Sequence, residues 1–135
     1  MSAEQFLLLA TGVHLGFQAV VTIVVYPGLL NLAPDDWERG HAAHTRRMII
    51  VVIPVYTALV IALGWALATV CCSPALFVTT GAVLIVGVTT ALIAAPIHHL
   101  LSVDGPTRKL IHHLRRADTL RLIGAAVACG AAIYV

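Results

Sequence analysis

Histidines at the ends of long uncharged stretches are the side chains most able to do chemistry in this sequence. His41 and His44 are three residues apart, so on a helix they share a face and could offer two nitrogens to one ion. His98 could add a third nitrogen from another helix, with Glu38 or Asp118 as a carboxylate, a ligand set suited to iron, copper or zinc. The spacing alone does not force these ligands to converge. The alternative is that the histidines are polar boundary residues that bind no metal.

A second candidate site lies deep inside the first uncharged stretch. His14 and Gln18 are four residues apart, and Thr11 and Thr22 continue the same polar face. Polar residues inside a membrane are functional candidates, so this pair could bind a small polar ligand or a quinone carbonyl. Hydrogen bonding between helices, worth about 0.6–2 kcal/mol per contact, is the structural alternative. A bis-histidine haem fits less well, because His14 would lie ~20 Å deeper than the other histidines.

Charged side chains form two further groups. Asp118 and Arg121 open the last apolar stretch, and their spacing of three lets them pair on one helix face. They could form a proton relay or a ligand clamp, but we expect a structural ion pair, with Arg121 reaching towards the boundary. Other basic residues are expected to attract anionic lipid head groups, at ~1 kcal/mol each. No nucleic-acid-binding pattern accompanies them. They are Arg46, Arg47, Arg108, Lys109, Arg115 and Arg116.

Long apolar helices must position these side chains. Of the 135 residues, 60% are hydrophobic and only 10% are charged, whereas soluble domains carry about 25% charged residues. A membrane-spanning helix needs about 20 apolar residues, and the uncharged stretches provide room for four. The sequence therefore predicts one all-α domain, residues 1–135. It is a four-transmembrane-helix bundle with spans at about 6–30, 46–70, 75–101 and 117–135, and a short cytoplasmic amphipathic helix before the fourth span.

The basic residues predict the orientation of this bundle. All eight lie in two segments, one after the first span and one after the third. The positive-inside rule then places both basic segments in the cytoplasm and both termini outside, in a multi-pass membrane protein. The first span is expected to be retained rather than cleaved, because no Lys or Arg precedes it and it is longer than a signal-peptide core. Cys71, Cys72 and Cys129 would lie near the outer face, as free thiols or with one bridge.

Several short motifs follow one another along the chain. Tyr26-Pro27 ends the first span, the HAAHTRRM stretch opens the second with Pro54 inside it, Pro96-x-His98 ends the third, and Asp118-x-x-Arg121 opens the fourth. This order resembles a family of small bacterial four-helix membrane proteins of unknown function, distantly similar to the group that contains the fungal anthrone oxygenases. The resemblance implies a four-helix fold in the bacterial plasma membrane. The matching positions are Tyr26, Pro27, His41, His44, Arg46, Arg47, Pro96, His98 and Arg121.

Three functions fit these observations. The favoured hypothesis is an accessory or structural subunit of a larger membrane complex, for example in lipid import or respiration, without a catalytic site or cofactor of its own. Its main support is the run of Gly and Ala in the fourth span, which could pack against other membrane subunits. The second is a metal-dependent oxidoreductase that uses His41, His44 and His98 on a lipophilic substrate at the cytoplasmic face. The third is a lipid- or quinone-binding protein built around His14 and Gln18. Membrane lipids are the other expected partner.

Overall fold

The computed structural model describes residues 1–70 and 73–135, and the ordered elements in those ranges are all helical. By length and composition, three segments are apolar enough to cross a membrane: Ala3–Leu30, Pro34–Thr69 and Pro74–Asp104. The predicted all-α class is therefore confirmed, and three helices that could span a membrane are consistent with a multi-pass membrane protein. The expected outer turn at Cys71 and Cys72 lies outside the described residues, and with it any bridge from these cysteines to Cys129.

Six α-helices, two π-helical segments and one 3₁₀ turn make up the described chain. A capping box starts the first helix: the Ser2 hydroxyl accepts from the Gln5 N–H, and the Ser2 N–H donates to the Gln5 side chain. The elements in chain order are α1 (Ala3–Val20), the first π segment (Val21–Val25), α2 (Tyr26–Leu30), a 3₁₀ turn (Pro34–Asp36), α3 (Trp37–Thr69), α4 (Pro74–Thr89), the second π segment (Thr90–Ala94), α5 (Ala95–Asp104) and α6 (Arg108–Ala132).

Each π segment lies directly before an X-Pro dipeptide. Pro27 and Pro96 have no backbone N–H, so the normal α-helical hydrogen bond is missing there. The helix widens instead: the Tyr26 N–H donates to the carbonyl five residues back, and the Ala95 N–H does the same. One extra residue per turn shifts the register of the following side chains by about 100°. The two π segments therefore determine where Tyr26 and His98 point.

The last helix differs from the expected arrangement. A short amphipathic helix was expected to precede the fourth span, but α6 runs for 25 residues without a break from Arg108 to Ala132. Thr107 caps its start by accepting from the Leu110 N–H. No Gly or Pro occurs between residues 108 and 123, so nothing in the sequence ends a helix there. The amphipathic stretch forms the first turns of α6.

Two apolar clusters hold the bundle together at opposite ends. One joins the first half of α1 to α3, α4 and the end of α6, and the other joins α2, the start of α3, α5 and Leu114 of α6. Between them every long helix contributes buried or partly buried polar side chains. Several of these groups hydrogen-bond to one another across helices, since buried polar groups need partners that the apolar clusters do not offer. The buried members of this polar layer include Thr11, His14, Gln18, His41, Thr89, Asp118 and Arg121.

Candidate functional site

The polar layer contains a hydrogen-bonded network centred on Asp118. Gln18 donates through Nε2 to Asp118 Oδ1 at 2.7 Å, and Arg121 donates through Nη2 to the same oxygen at 3.1 Å. The same Arg121 nitrogen donates to Tyr26 Oη at 2.8 Å. The side chains of Asp118 and Arg121 are only 5% and 9% exposed. The expected Asp118–Arg121 pair is thus present, and it ties α6 to the first helical segment.

The network continues from Tyr26 into the histidines. Tyr26 Oη lies 3.2 Å from His98 Nε2, and His98 Nδ1 lies 3.3 Å from His41 Nε2. Trp37 stacks on His41, His41 on His98, and His98 on His44, with ring centroids 5.2, 5.6 and 5.7 Å apart and interplanar angles below 30°. Side chains from α3 and α5 therefore form one stack of rings, and Tyr26 of α2 joins this stack to the ion pair.

The hydrogen bonds among these groups can run in either direction. Arg121 can only donate, so Tyr26 Oη accepts from it. If the Tyr26 hydroxyl donates to His98 Nε2, then neutral His98 donates through Nδ1 to His41. If His98 Nε2 donates to Tyr26, then His41 donates to His98 Nδ1, and the Tyr26 hydroxyl proton points elsewhere. The direction of these hydrogen bonds therefore follows the tautomer of His98.

The hydrogen-bonded side chains of Arg121, Tyr26, His98 and His41 are called the polar chain below. A cavity of about 720 Å³ lies beside the polar chain. Its volume is within the range of pockets that hold small molecules, roughly 300–1,000 Å³. The polar chain forms one part of the wall, and most of the remaining surface is apolar. Toward the basic end of the bundle the lining includes Glu38, Arg46, His99 and Ser102. The apolar wall is formed by Phe17, Val21, Met48, Ile49, Val52, Ala94 and Ala95.

Two tethers hold α3 across this cavity. At the deep end, the hydroxyls of Tyr56 and Thr90 lie 2.8 Å apart and join α3 to the second π segment. At the other end, Trp37 donates through Nε1 to the Leu101 carbonyl at 3.1 Å, which joins the start of α3 to α5. All four residues are buried or partly buried. The cavity lies beside α3, between these two tethers.

The predicted metal ligands come together only in part. The rings of His41, His44 and His98 lie with centroids 5.6–6.4 Å apart. Among the residues that the structure describes, no group of three His, Cys, Asp or Glu side chains is arranged to hold a metal ion. His98 is engaged on both ring nitrogens, by Tyr26 and by His41. Glu38 lines the cavity, whereas Asp118 is bound to Gln18 and Arg121.

The predicted ligand-binding pair is split between two environments. Gln18 lines the cavity and belongs to the Asp118 network. His14, 1% exposed, packs its ring edge against Tyr56, with centroids 5.2 Å apart. Neither His14 nitrogen has a hydrogen-bond partner among the described residues, nor do Gln18 Oε1 and Arg121 Nε. Gln18 and Arg121 line the cavity, so their unpartnered atoms are available to a group that enters from it.

The basic residues expected to contact lipid head groups are all exposed. Arg46 also lines the cavity, while the others lie on the outer surface of α3 or on the first turns of α6. Binding of lipid head groups stays a prediction. The exposed residues are Arg46, Arg47, Arg108, Lys109, Arg115 and Arg116.

Sequence reasoning missed the roles of Tyr26, Tyr56 and Trp37. Tyr26 joins the ion pair to the histidines, while Tyr56 and Trp37 provide the two tethers. A signal for Tyr26 exists in hindsight: it stands directly before Pro27, and a proline inside a membrane helix often marks a widened turn at a functional site. No comparable signal marks Tyr56.

The chain has no significant match to a protein-family model, a curated protein or a solved structure. The resemblance to the four-helix family, and through it to the anthrone-oxygenase group, stays a prediction. Arguments about function must therefore start from the geometry of the cavity and its polar chain.

Proposed function

We propose that this protein binds a lipophilic molecule with a polar head group, of the lipid or quinone class, in the cavity beside α3. The observation that supports this most is the placement of a buried hydrogen-bonded chain in the wall of an otherwise apolar cavity of about 720 Å³. Ligand sites commonly combine an apolar lining with a few converging polar groups. This is the third sequence-based hypothesis, with its site extended from His14 and Gln18 to Tyr26, His98 and Arg121.

The charges in the wall favour a neutral head group. Arg121 is the cation closest to the polar chain, and Asp118 already balances its charge at 3.1 Å. A second anion beside Arg121 would have to compete with Asp118 in surroundings of low dielectric constant, where unbalanced charge is costly. An uncharged carbonyl, hydroxyl or amide group needs no such exchange. The apolar side chains around Ile49 and Val52 would then contact the rest of the ligand.

We further propose that the cavity opens at the cytoplasmic leaflet and that α6 is a fourth span. A helix of 25 residues is ~38 Å long, enough to cross a ~30 Å hydrocarbon core. Its buried residues pack against α1 and α4, as expected of a bundle helix. The first half of α3 and the first half of α6 carry the basic residues. The first half of α3 also lines the cavity, together with α5. The positive-inside rule assigns this basic end of the bundle to the cytoplasm.

The other two hypotheses stay predictions. The accessory-subunit hypothesis relied on the small residues of the fourth span, but Gly124, Ala125, Ala128 and Ala132 are buried inside this chain. It predicts fixed protein partners after purification in a mild detergent. The metal-dependent oxidoreductase hypothesis predicts stoichiometric iron, copper or zinc that is lost when His41 and His44 become alanine.

Tryptophan fluorescence offers a direct test of ligand binding. Trp37 lines the cavity, whereas Trp65 packs near Phe6 at the far end of the bundle. In a Trp65→Phe variant, the remaining tryptophan reports on the cavity alone. Decylubiquinone and a bromine-labelled fatty acid are suitable quenching probes. We expect at least one of them to quench Trp37 saturably in nanodiscs.

Two alanines of the second π segment provide a matched pair of variants. Ala94 is buried and lines the cavity, whereas Ala91 is exposed. Ala94→Phe should fill the cavity and abolish saturable quenching, while Ala91→Phe should leave it unchanged. Quenching that does not saturate with either probe, or that survives in Ala94→Phe, would contradict the proposed function.

A further inference from the structure

Four buried polar atoms on α1 and α6 have no hydrogen-bond partner among the described residues. They are Nδ1 and Nε2 of His14, Oε1 of Gln18 and Nε of Arg121. Gln18 is 0% exposed, and both Gln18 and Arg121 line the cavity. Buried polar atoms are almost always satisfied in native proteins, because leaving one unpaired costs its full desolvation. For Gln18 and Arg121, a group that enters from the cavity can supply the missing partners.

The donors and acceptors of these side chains are fixed by the network. Gln18 uses its amide nitrogen on the Asp118 carboxylate at 2.7 Å, so its remaining atom, Oε1, can only accept. Arg121 Nε carries a hydrogen and can only donate. The two side chains are neighbours, since both bond to Asp118 Oδ1. Neutral His14, one turn before Gln18, adds one donor and one acceptor.

A single group that satisfies both Gln18 and Arg121 must donate and accept at once. A ketone, ester or ether oxygen only accepts, and an ammonium group only donates. A hydroxyl oxygen does both. We propose that the deep end of the cavity is a hydroxyl-binding site, occupied by water without ligand and by the O–H group of a lipophilic alcohol, phenol or protonated acid when ligand is bound. The ligand half of this inference rests on the proposed function. For a quinone-type ligand, the inference predicts that the reduced, hydroxyl-bearing form binds more tightly than the oxidised form.

A matched pair of probes tests the ligand half. 1-Dodecanol and dodecyl methyl ether share the same alkyl chain, but only the alcohol oxygen can donate, because a methyl group replaces its hydrogen in the ether. With Trp37 as the reporter in the Trp65→Phe variant, we expect the alcohol to bind at least tenfold more tightly than the ether. Gln18→Leu should remove this preference. Thr11→Val is the control, since the Thr11 hydroxyl bonds only to carbonyls of its own helix, and it should keep the preference.

The outcomes separate this inference from the proposed function. Equal binding of alcohol and ether would overturn hydroxyl recognition while leaving a lipophilic cavity in place. If neither the alcohol nor the ether binds, but decylubiquinone or the fatty acid binds saturably, hydroxyl recognition is likewise overturned and the lipophilic cavity remains. If no probe binds saturably, the proposed function fails and the ligand half of the inference fails with it.

The water half is tested without any ligand, through the sign of a stability change. His14→Phe keeps an aromatic edge against Tyr56 and removes both ring nitrogens. If water bridges His14 to its neighbours, this change removes its partners and should lower the melting temperature by several degrees. In a dry site it removes two unpaired polar atoms and should raise the melting temperature, which would overturn the inference. His99→Phe, at an exposed position of α5, is the control and should change little. If the Gln18→Leu variant fails to fold, this stability measurement still tests the inference. So does the comparison of alcohol and ether binding in protein that keeps Gln18.

Discussion

Arg121 donates a hydrogen bond to Tyr26 Oη over 2.8 Å, although 95 residues separate the two along the chain. The guanidinium carbon also lies 5.9 Å from the centre of the Tyr26 ring, within the range of a cation–π contact. Through this contact the ion pair of α6 meets the histidine stack of α3 and α5. Tyr26 is therefore the residue on which the continuity of the polar chain depends.

Tyr26→Phe should destabilise the protein by about 1–3 kcal/mol, because it leaves the buried Arg121 guanidinium without one of its acceptors. It also removes the partner of His98 Nε2. Thermal unfolding in a mild detergent measures the change. Tyr134→Phe is the control, since Tyr134 is 79% exposed. Equal melting temperatures for the two variants would show that the Tyr26 hydroxyl contributes nothing to the bundle.

The described chain has two ion pairs, and we expect the longer pair to contribute more to stability than the shorter one. Asp36 and Arg39 are closer, at 2.7 Å, but their side chains are 56% and 83% exposed. Exposed pairs are screened by water and contribute little. The Asp118–Arg121 pair is longer but buried, so removing one partner leaves an uncompensated charge at a cost of about 3–5 kcal/mol.

Asp118→Ala should therefore lower stability strongly, and Asp36→Ala should have little measurable effect. Adding Arg121→Leu to Asp118→Ala should recover part of the loss, because the stranded charge is removed. Chemical denaturation of the single and double variants in the same detergent gives these free energies. A loss in Asp118→Ala no larger than in Asp36→Ala would contradict the buried-pair interpretation.

Local sequence patterns predicted the helices but not the contacts between them. Uncharged stretches gave the apolar segments, and the spacing of Asp118 and Arg121 indicated their pairing, because both depend on neighbours along one helix. The bonds from Tyr26 to His98 and from Gln18 to Asp118 join residues 72 and 100 positions apart. Which faces meet depends on helix packing and on the register shift of the two π segments, which no periodicity reveals.

The cavity was likewise beyond prediction from sequence. It lies beside α3, which is tethered to distant parts of the chain at Trp37 and at Tyr56. Each tether joins a side chain to a group on a distant part of the chain. The small residues of α6 were recognised, but the sequence could not tell packing within the chain from packing against another subunit.

Gly124 provides a test of that internal packing. A Cβ built on Gly124 would lie 2.6 Å from Cγ2 of Val86 on α4, too close for any real contact. Gly124→Ala should therefore destabilise the protein, by about 1–3 kcal/mol as for other overpacked cores. Adding Val86→Ala should restore part of the loss. Gly130→Ala is the matched control on the same helix, because none of the described residues lies within 4 Å of its built Cβ. A neutral Gly124→Ala would show that α4 and α6 do not pack closely in the membrane.

The proposed four-span orientation can be tested with single cysteines. Ser2 and Tyr134 are exposed near the two termini, and Ser102 is exposed near the end of α5. In a background without the native cysteines, each is replaced by cysteine and treated with a membrane-impermeant maleimide on intact cells. The positive-inside rule predicts that Ser2→Cys and Tyr134→Cys react at once, and that Ser102→Cys reacts only after permeabilisation.

The labelling pattern counts crossings. If Tyr134→Cys behaves like Ser102→Cys, then α6 does not cross the membrane and the fourth span is wrong. If Ser2→Cys behaves like Ser102→Cys, an even number of the three apolar segments between them crosses, and the predicted three crossings are wrong. If all three react oppositely to the prediction, the bundle is inverted and the cavity faces the exterior. The first result would also place the Asp118–Arg121 pair at an interface, where water could reach it and its removal would cost much less than about 3 kcal/mol.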